Sequence, residues 1–171
     1  PNYDVYDDPR YFRPGTGPKC FQAKGWRFGV TICEDLWDEQ PFENENARSR
    51  LYTINPLEEL SRLEPHAVIN LAASPFSHRK MEAKQSIFTG KARRYGLPVL
   101  YCNQVGAQTE LIFEGGSMAV SPAGNVTARL PFFREDYLLV DLEELIQGSG
   151  KAEAGKMPDR IESMAGALIC G

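Results

Sequence analysis

The chain has 171 residues, a net charge of -4, 42% hydrophobic residues and 25% charged residues. This composition is that of an ordinary globular protein and excludes wholesale disorder. The acidic balance and the scattered Lys and Arg residues argue against a nucleic-acid binder, and no apolar run reaches the roughly 20 residues that span a bilayer. We therefore expect a cytoplasmic protein that binds neither nucleic acid nor membranes.

The first hundred residues predict an alternation of strands and helices. Residues 1–20 are rich in Asp, Tyr, Pro and Gly and predict an irregular surface loop. Short apolar runs predict buried strands at 26–33, 67–73 and 97–105. Segments that begin near Pro56 and end before Gly96 predict helices at 56–63 and 78–95.

The rest of the chain predicts a change of pattern. Turn residues between β-rich runs predict a hairpin series over 112–130, and YLLVDL predicts a further strand at 137–142. Together these elements predict an α/β layered fold with antiparallel edge strands. Composition then predicts a linker and a new helix, so we expect one domain at 1–146, a linker at 147–156 and the first helix of another domain at 157–171.

The four cysteines predict neither a disulfide framework nor a metal site. Cys20, Cys33, Cys102 and Cys170 include no CxxC pair, and His66 and His78 are not spaced for zinc. Most of these thiols are expected to act as small buried hydrophobes.

Cys33 is different because it ends an apolar run and is followed at once by Glu34 and Asp35. A nucleophile on a sharp turn after a strand is displayed at the sheet edge, and the next backbone N–H is free to face an oxyanion. A core cysteine before an acidic turn explains the same spacing. Because a free thiol has a pKa near 8.5 and two acids raise it, a nucleophilic Cys33 needs a base or cation from elsewhere.

Five segments, in order, resemble one known family. They are PNYDVYDDPRYF at 1–12, GVTICEDLW at 29–37, NLAASPF at 70–76, YCNQVGAQTELIFEGGS at 101–117 and the SPAGNV turn at 121–126. The sequence resembles the nitrilase superfamily, and within it the glutaminase domains of glutamine-dependent NAD synthetases.

The resemblance implies a four-layer α-β-β-α sandwich, incomplete at its N-terminus, with a catalytic Glu, Lys and Cys. Cys33 matches the nucleophile, and the N–H of Glu34 matches an oxyanion donor. The family's Lys and Glu precede the segment that begins at Pro1, so we expect a fragment that is inactive by itself. No metal site is expected in these residues.

The resemblance also implies substrate contacts. Tyr3 matches a glutamine-contacting tyrosine, Ser74 a serine that binds the polar end of the substrate, and Lys80 a cation for the α-carboxylate. A loop aromatic, a helix N-cap and a solvated helix residue are the respective alternatives. Asp8 stands where relatives commonly carry a supporting Glu.

The implied function is glutamine hydrolysis through a cysteine thioester. Ammonia would pass to a synthetase domain of the same polypeptide, which uses ATP and Mg to amidate deamido-NAD; a homo-oligomer is also implied. Gln108, Glu110 and Glu114 are candidate lining groups for the ammonia route, or simply exposed hairpin residues. A stand-alone nitrilase-type amidase and a non-catalytic assembly module remain alternatives.

Overall fold

The computed structural model describes residues 2–3, 6–13, 15–37, 54–77, 80–149 and 153–171; for 2–3, 6–9 and 153–154 it describes the backbone. The strands are β1 (Asn2–Tyr3), β2 (Tyr6–Asp7), β3 (Lys19–Ala23), β4 (Trp26–Ile32), β5 (Ala67–Ala72), β6 (Val99–Asn103), β7 (Val105–Gln108), β8 (Leu111–Glu114), β9 (Met118–Val120), β10 (Val126–Arg129) and β11 (Glu153–Ala154). The helices are α1 (Asp8–Tyr11), α2 (Pro56–Ser61), α3 (Met81–Tyr95), α4 (Leu142–Gln147) and α5 (Arg160–Cys170).

A seven-stranded sheet organises these elements in the order β11-β10-β9-β6-β5-β4-β3. Its centre is parallel, because β5 pairs in parallel with β4 on one side and β6 on the other. On the two sides of this parallel centre, the edge strand β3 pairs antiparallel with β4, and β9 pairs antiparallel with β6 and with β10; β11 forms the other edge and pairs in parallel with β10. The carboxyl ends of three parallel strands therefore meet at one edge of the sheet.

Helices α2 and α3 cover one face of this sheet and build the main core. Leu57, Leu60 and Phe88 are fully buried against Val68 and Val99 of the central strands. Gly29 in β4 permits this packing, since a Cβ there would lie 2.6 Å from the Leu60 side chain. The close approach places β4, and with it the chain that follows Ile32, directly beneath the helices.

The opposite face of the sheet is covered only in part by the described residues. The α4 residue Leu145 packs against Ala119 and Ala128 there. At the carboxyl ends of the parallel strands, Ile32 and Leu71 share a register row and are 66% and 49% exposed. The described residues thus form a helix layer, a sheet layer and a partial cover on the second face, and the mixed α/β class is confirmed.

The sequence patterns predicted the parallel core well and its borders less well. Expected strands at 26–33 and 67–73 are β4 and β5, and the helix expected at 56–63 is α2. Position 78 of the helix expected at 78–95 lies outside the described residues, and α3 begins at Met81.

Two sequence predictions are wrong. The irregular loop expected over 1–20 instead contains the paired strands β1 and β2 and the short helix α1, and it ends before Lys19, where β3 pairs with β4. The strand expected at 137–142 does not form: residues 135–140 are exposed and belong to no strand, and Asp141 instead caps α4 by accepting a hydrogen bond from the Glu144 N–H (3.0 Å). The predicted domain boundaries stay predictions.

Candidate active site

The chain turns sharply at Cys33, immediately after β4 ends. Cys33 begins a single 3-10 turn that runs to Leu36, and its φ of +42° lies in the left-handed region that non-glycine residues rarely adopt. The Asp35 carboxylate accepts a hydrogen bond from the Ile32 N–H (2.8 Å) and closes the turn. A strained nucleophile-type turn at the end of a strand is the geometry that the sequence predicted for this position.

Two buried residues hold the turn against the core. Leu36 is fully buried, and the Trp37 ring packs edge-on against Phe88 of α3, with centroids 6.0 Å apart. Because the apolar end of the turn is anchored below α3, the half-buried Cys33 side chain is held at the carboxyl edge of the sheet.

The surroundings of the Cys33 thiol keep it protonated. Burial raises its pKa most, and the charge of Glu34 and a hydrogen bond to the Glu34 carboxylate raise it further. The Lys84 ammonium and a hydrogen bond from the Glu34 backbone N–H act in the opposite direction and do not compensate. The described residues therefore present a thiol with one favourable backbone donor and too little positive charge to ionise it.

A polar row crosses the helix-facing side of the sheet beside this turn. Thr31 of β4, Asn70 of β5 and Tyr101 of β6 stand opposite one another in register. The Asn70 Nδ2 donates to Thr31 Oγ1 (3.0 Å) and to the Cys33 carbonyl oxygen (3.2 Å). The carbonyl of the candidate nucleophile is thus tied to the neighbouring strand.

The turn at Cys33, the polar row and a buried ion pair together form one cluster. The Lys84 ammonium of α3 donates to the Glu114 carboxylate of β8, and both side chains are almost inaccessible to solvent. Burial raises the pKa of Glu114, while Lys84 lowers it in part. Burial also raises the pKa of Tyr101, and the charges of Glu114 and Cys33 add to that increase. The ion pair, the phenol and the thiol therefore interact electrostatically.

A cavity of about 20 Å³ lies beside the ion pair and is lined by Lys84, Tyr101, Glu114 and Arg129, among others. Cys33 is not among its lining residues. A space of this size holds about one water molecule and is too small for an amino acid.

The predicted substrate residues lie at different distances from this cluster. Ser74 is buried, its backbone N–H donates to Asn103 Oδ1 (3.0 Å), and its side chain lies close enough to the Tyr101 phenol to offset part of the increase in the pKa of Tyr101, which places it in the cluster. Lys80 is half-buried and lies one turn before Lys84, at the start of α3. Tyr3 lies in β1, and its side chain, like that of Asp8, is outside the described part of the chain. All three substrate assignments stay predictions.

The candidate ammonia-route residues separate into two groups. Gln108 and Glu110 are exposed at the tip of the β7–β8 hairpin, whereas Glu114 is buried in the ion pair. His66 is at the other end of β5, where its Nδ1 accepts from the Arg27 N–H (2.8 Å). Within the described ranges, no group of three or more His, Cys, Asp or Glu side chains could hold a metal ion, and no helix is long and apolar enough to cross a membrane.

Sequence reasoning missed Asn70, Lys84 and Tyr101. A signal for Asn70 was present, since it is the polar residue in the apolar run AVINLAA. Lys84 follows Met81 by three residues and precedes Phe88 by four, so it lies on the apolar, buried side of α3. Tyr101 carried no local signal, because its role depends on which strand lies beside β5.

Comparison with known sequences assigns the chain to a family. The sequence model described as carbon-nitrogen hydrolase matches residues 4–149, and the chain belongs to that family. A glutamine-dependent NAD(+) synthetase of Synechocystis is 40% identical over 143 residues, which are 84% of this chain and 25% of that protein. One from Thermotoga maritima is 37% identical over 84% of this chain and 23% of its own length. The chain spans about a quarter of the length of these relatives.

Solved structures agree with that assignment. The glutamine-dependent NAD+ synthetase of Acinetobacter baumannii, in complex with ADP, superimposes with a TM-score of 0.81 at 29% identity, over 99% of this chain and 30% of that one. An amidase of the nitrilase superfamily from Nesterenkonia superimposes with a TM-score of 0.54 at 21% identity, over 70% of this chain and 40% of the amidase, which supports the fold alone.

Proposed function

We propose that this chain is the cysteine-bearing part of an amidase that hydrolyses the side-chain amide of glutamine and supplies the ammonia for NAD synthesis. The single observation that carries the proposal is the backbone at Cys33, which has a φ of +42° and begins a sharp turn directly after β4. The similarity to glutamine-dependent NAD(+) synthetases supports the choice of glutamine as substrate and of NAD synthesis as the destination of the ammonia.

The proposed reaction passes through a thioester. The Cys33 thiolate bonds to the amide carbon, and the carbonyl electrons move to oxygen, where the Glu34 N–H stabilises the negative charge. The oxyanion then collapses, the C–N bond breaks, and the nitrogen leaves as ammonia after taking a proton. Water adds to the thioester, the C–S bond breaks, and glutamate and the thiol are released.

The proposal requires a cation and a base that are free to act on Cys33, and among the described residues the nearest cation is already paired. The pKa of Cys33 is raised in the described structure, and its attraction to Lys84 is weakened because Lys84 pairs with Glu114. The family resemblance implies a separate Lys and Glu for these roles, which no residue of 1–171 matches. We therefore propose that residues 1–171 by themselves are inactive.

The substrate contacts are proposed on the same basis. Ser74 lies in the cluster with Tyr101 and would bind the polar end of glutamine, and Lys80 would pair with its α-carboxylate. Tyr3 would contact the substrate from the N-terminal segment. Released ammonia would pass to a synthetase domain of the same polypeptide, and ATP and Mg would act there and not at these residues.

The test compares glutamine hydrolysis by residues 1–171 with hydrolysis by the natural polypeptide that contains them. We expect measurable turnover in the polypeptide, none in residues 1–171, and a loss of at least about 10³-fold for Cys33→Ala in the polypeptide. Cys102→Ala is the matched control, because Cys102 is an exposed cysteine on β6, which β5 separates from the strand that ends at Cys33.

Iodoacetamide labelling gives an independent readout. In the polypeptide, Cys33 should react faster than Cys102 and should be protected by glutamine. Hydrolysis of another amide with no protection by glutamine would favour a stand-alone amidase. Turnover that survives Cys33→Ala, or robust turnover by residues 1–171 alone, would contradict the proposal.

A further inference from the structure

The peptide group that joins Cys33 to Glu34 is held at its carbonyl oxygen, which accepts a hydrogen bond from Asn70 Nδ2 at 3.2 Å. Its N–H lies on the side of the Cys33 thiol, where it acts to lower the pKa of that group. The peptide is trans, so its N–H and C=O point in opposite directions. Holding the carbonyl on the Asn70 side therefore holds the N–H on the side of the thiol.

The Asn70 side chain is oriented by its partners. It is fully buried in the centre of β5, and its Nδ2 also donates to Thr31 Oγ1 at 3.0 Å. Because a backbone carbonyl can only accept a hydrogen bond, the NH₂ group of Asn70 must be the end that faces Cys33. The hydrogen-bond network thus assigns the amide orientation without ambiguity.

Asn70 lowers the stability of the fold compared with an apolar residue at the same position. Its neighbours in β5 include Val68, Ile69 and Leu71, and its Oδ1 is buried with no hydrogen-bond partner among the described residues. An unsatisfied buried carbonyl costs about 1–3 kcal/mol, which an apolar side chain of the same size would avoid. The position of Asn70 is therefore better explained by the hydrogen bond that its NH₂ group donates to the Cys33 carbonyl oxygen.

We propose that Asn70 is a positioning residue that fixes the Cys33–Glu34 peptide so that its N–H faces the oxyanion of the tetrahedral intermediate. The inference rests on the proposed attack of Cys33 on an amide. The left-handed backbone at Cys33 makes this support necessary, since a strained turn persists only where its surroundings hold it. Asn70 touches neither substrate nor sulfur in this scheme and acts through the backbone.

The test compares Asn70→Leu with Thr31→Val in the natural polypeptide that contains residues 1–171. Both variants remove the Asn70–Thr31 hydrogen bond from the same buried row, but Thr31→Val leaves the bond to the Cys33 carbonyl. We expect Asn70→Leu to lower kcat for glutamine by about 100-fold with KM changed less than about threefold, as for the loss of one oxyanion donor. Thr31→Val should stay within about threefold of the wild type in both constants.

Alkylation separates this role from a purely structural one. Iodoacetamide is attacked by displacement of iodide, which forms no oxyanion, so Asn70→Leu should keep the Cys33 alkylation rate within about threefold. A parallel loss of alkylation and turnover, or equal effects of the two variants, would overturn the inference.

The inference can fail separately from the proposed function. If the wild type hydrolyses no amide, the proposed function fails, and crystal structures of the two variants decide the role of Asn70. We expect the Cys33–Glu34 peptide to rotate in Asn70→Leu and to keep its orientation in Thr31→Val. An unrotated peptide in Asn70→Leu would overturn the inference whatever the substrate.

Discussion

At the scale of single residues, the two charged neighbours of Cys33 act on its thiol in opposite directions. Glu34 raises the pKa of Cys33 by its charge and by accepting a hydrogen bond, whereas Lys84 lowers it. Glu114 limits the second effect, because it pairs with Lys84 in a site from which solvent is excluded. Burial raises the pKa of the thiol most, and residues from three separate elements then modify that pKa.

Separate substitutions of Glu34 and Lys84 should change the reactivity of Cys33 in opposite directions. With the other three cysteines changed to Ser, Glu34→Gln should lower the pKa of Cys33 and raise its iodoacetamide rate at pH 8. Lys84→Met should raise the pKa and lower the rate, and a shift of one pKa unit changes the rate about tenfold. The rate is measured from pH 6 to pH 10.

Glu82→Gln is the control, since Glu82 is exposed on the same helix as Lys84. It should leave the pH profile unchanged. Rate changes of the same sign in Glu34→Gln and Lys84→Met would mean that these substitutions disturb the turn and not its charges.

At the scale of elements, a glycine sets the distance between α2 and the strand that carries Cys33. A Cβ at Gly29 would lie 2.6 Å from a methyl group of Leu60, a residue with no exposed surface. The strand that ends at Cys33 is thus packed against α2 at the closest distance that a glycine allows.

Gly29→Ala should destabilise the fold by about 1–3 kcal/mol, because the fully buried Leu60 must move. Gly90→Ala is the matched control: Gly90 lies on the exposed side of α3, with nothing within 4 Å of its ideal Cβ. That change should stabilise the protein by about 0.5–1 kcal/mol through helix propensity. Urea unfolding followed by circular dichroism measures both, and equal effects of the two changes would contradict the packing argument.

Sequence patterns predicted elements where local periodicity and burial agree. The apolar runs of β4 and β5 have a buried side beneath the helices, so their composition marked them correctly. The apolar run at 137–140 failed as a strand because β pairing needs a neighbouring strand, and none lies beside it among the described residues. A pattern predicts an extended chain, but only the sheet decides whether that chain is paired.

At the scale of the whole molecule, the sheet has one well-covered face and one partly covered face. Ile32, Leu71 and Cys102 form an exposed row across β4, β5 and β6, at the edge where the candidate nucleophile lies. Such an apolar row on an otherwise ordinary acidic protein favours contact with another protein surface. The homo-oligomer expected from the resemblance stays a prediction.

Residues 1–171 produced alone should associate through this row. We expect a concentration-dependent mass in sedimentation and binding of the dye ANS, with both reduced by Leu71→Lys. Leu63→Lys is the control, because Leu63 is 40% exposed in the turn after α2 and outside the row. A monomer that binds no dye, or equal effects of the two lysines, would contradict the assignment of the association surface to this row.

The sequence by itself determined the strand–helix alternation, the cysteine that follows a buried strand and the resemblance of its surrounding segments to one family. Each of these is carried by residues that are adjacent along the chain. Only the tertiary structure decided that Asn70 holds the carbonyl of Cys33 and that Lys84 pairs with Glu114 near the thiol. These contacts join residues 30 or more positions apart, and they depend on strand register and helix packing, which arise from the burial of the whole sheet and not from any local pattern.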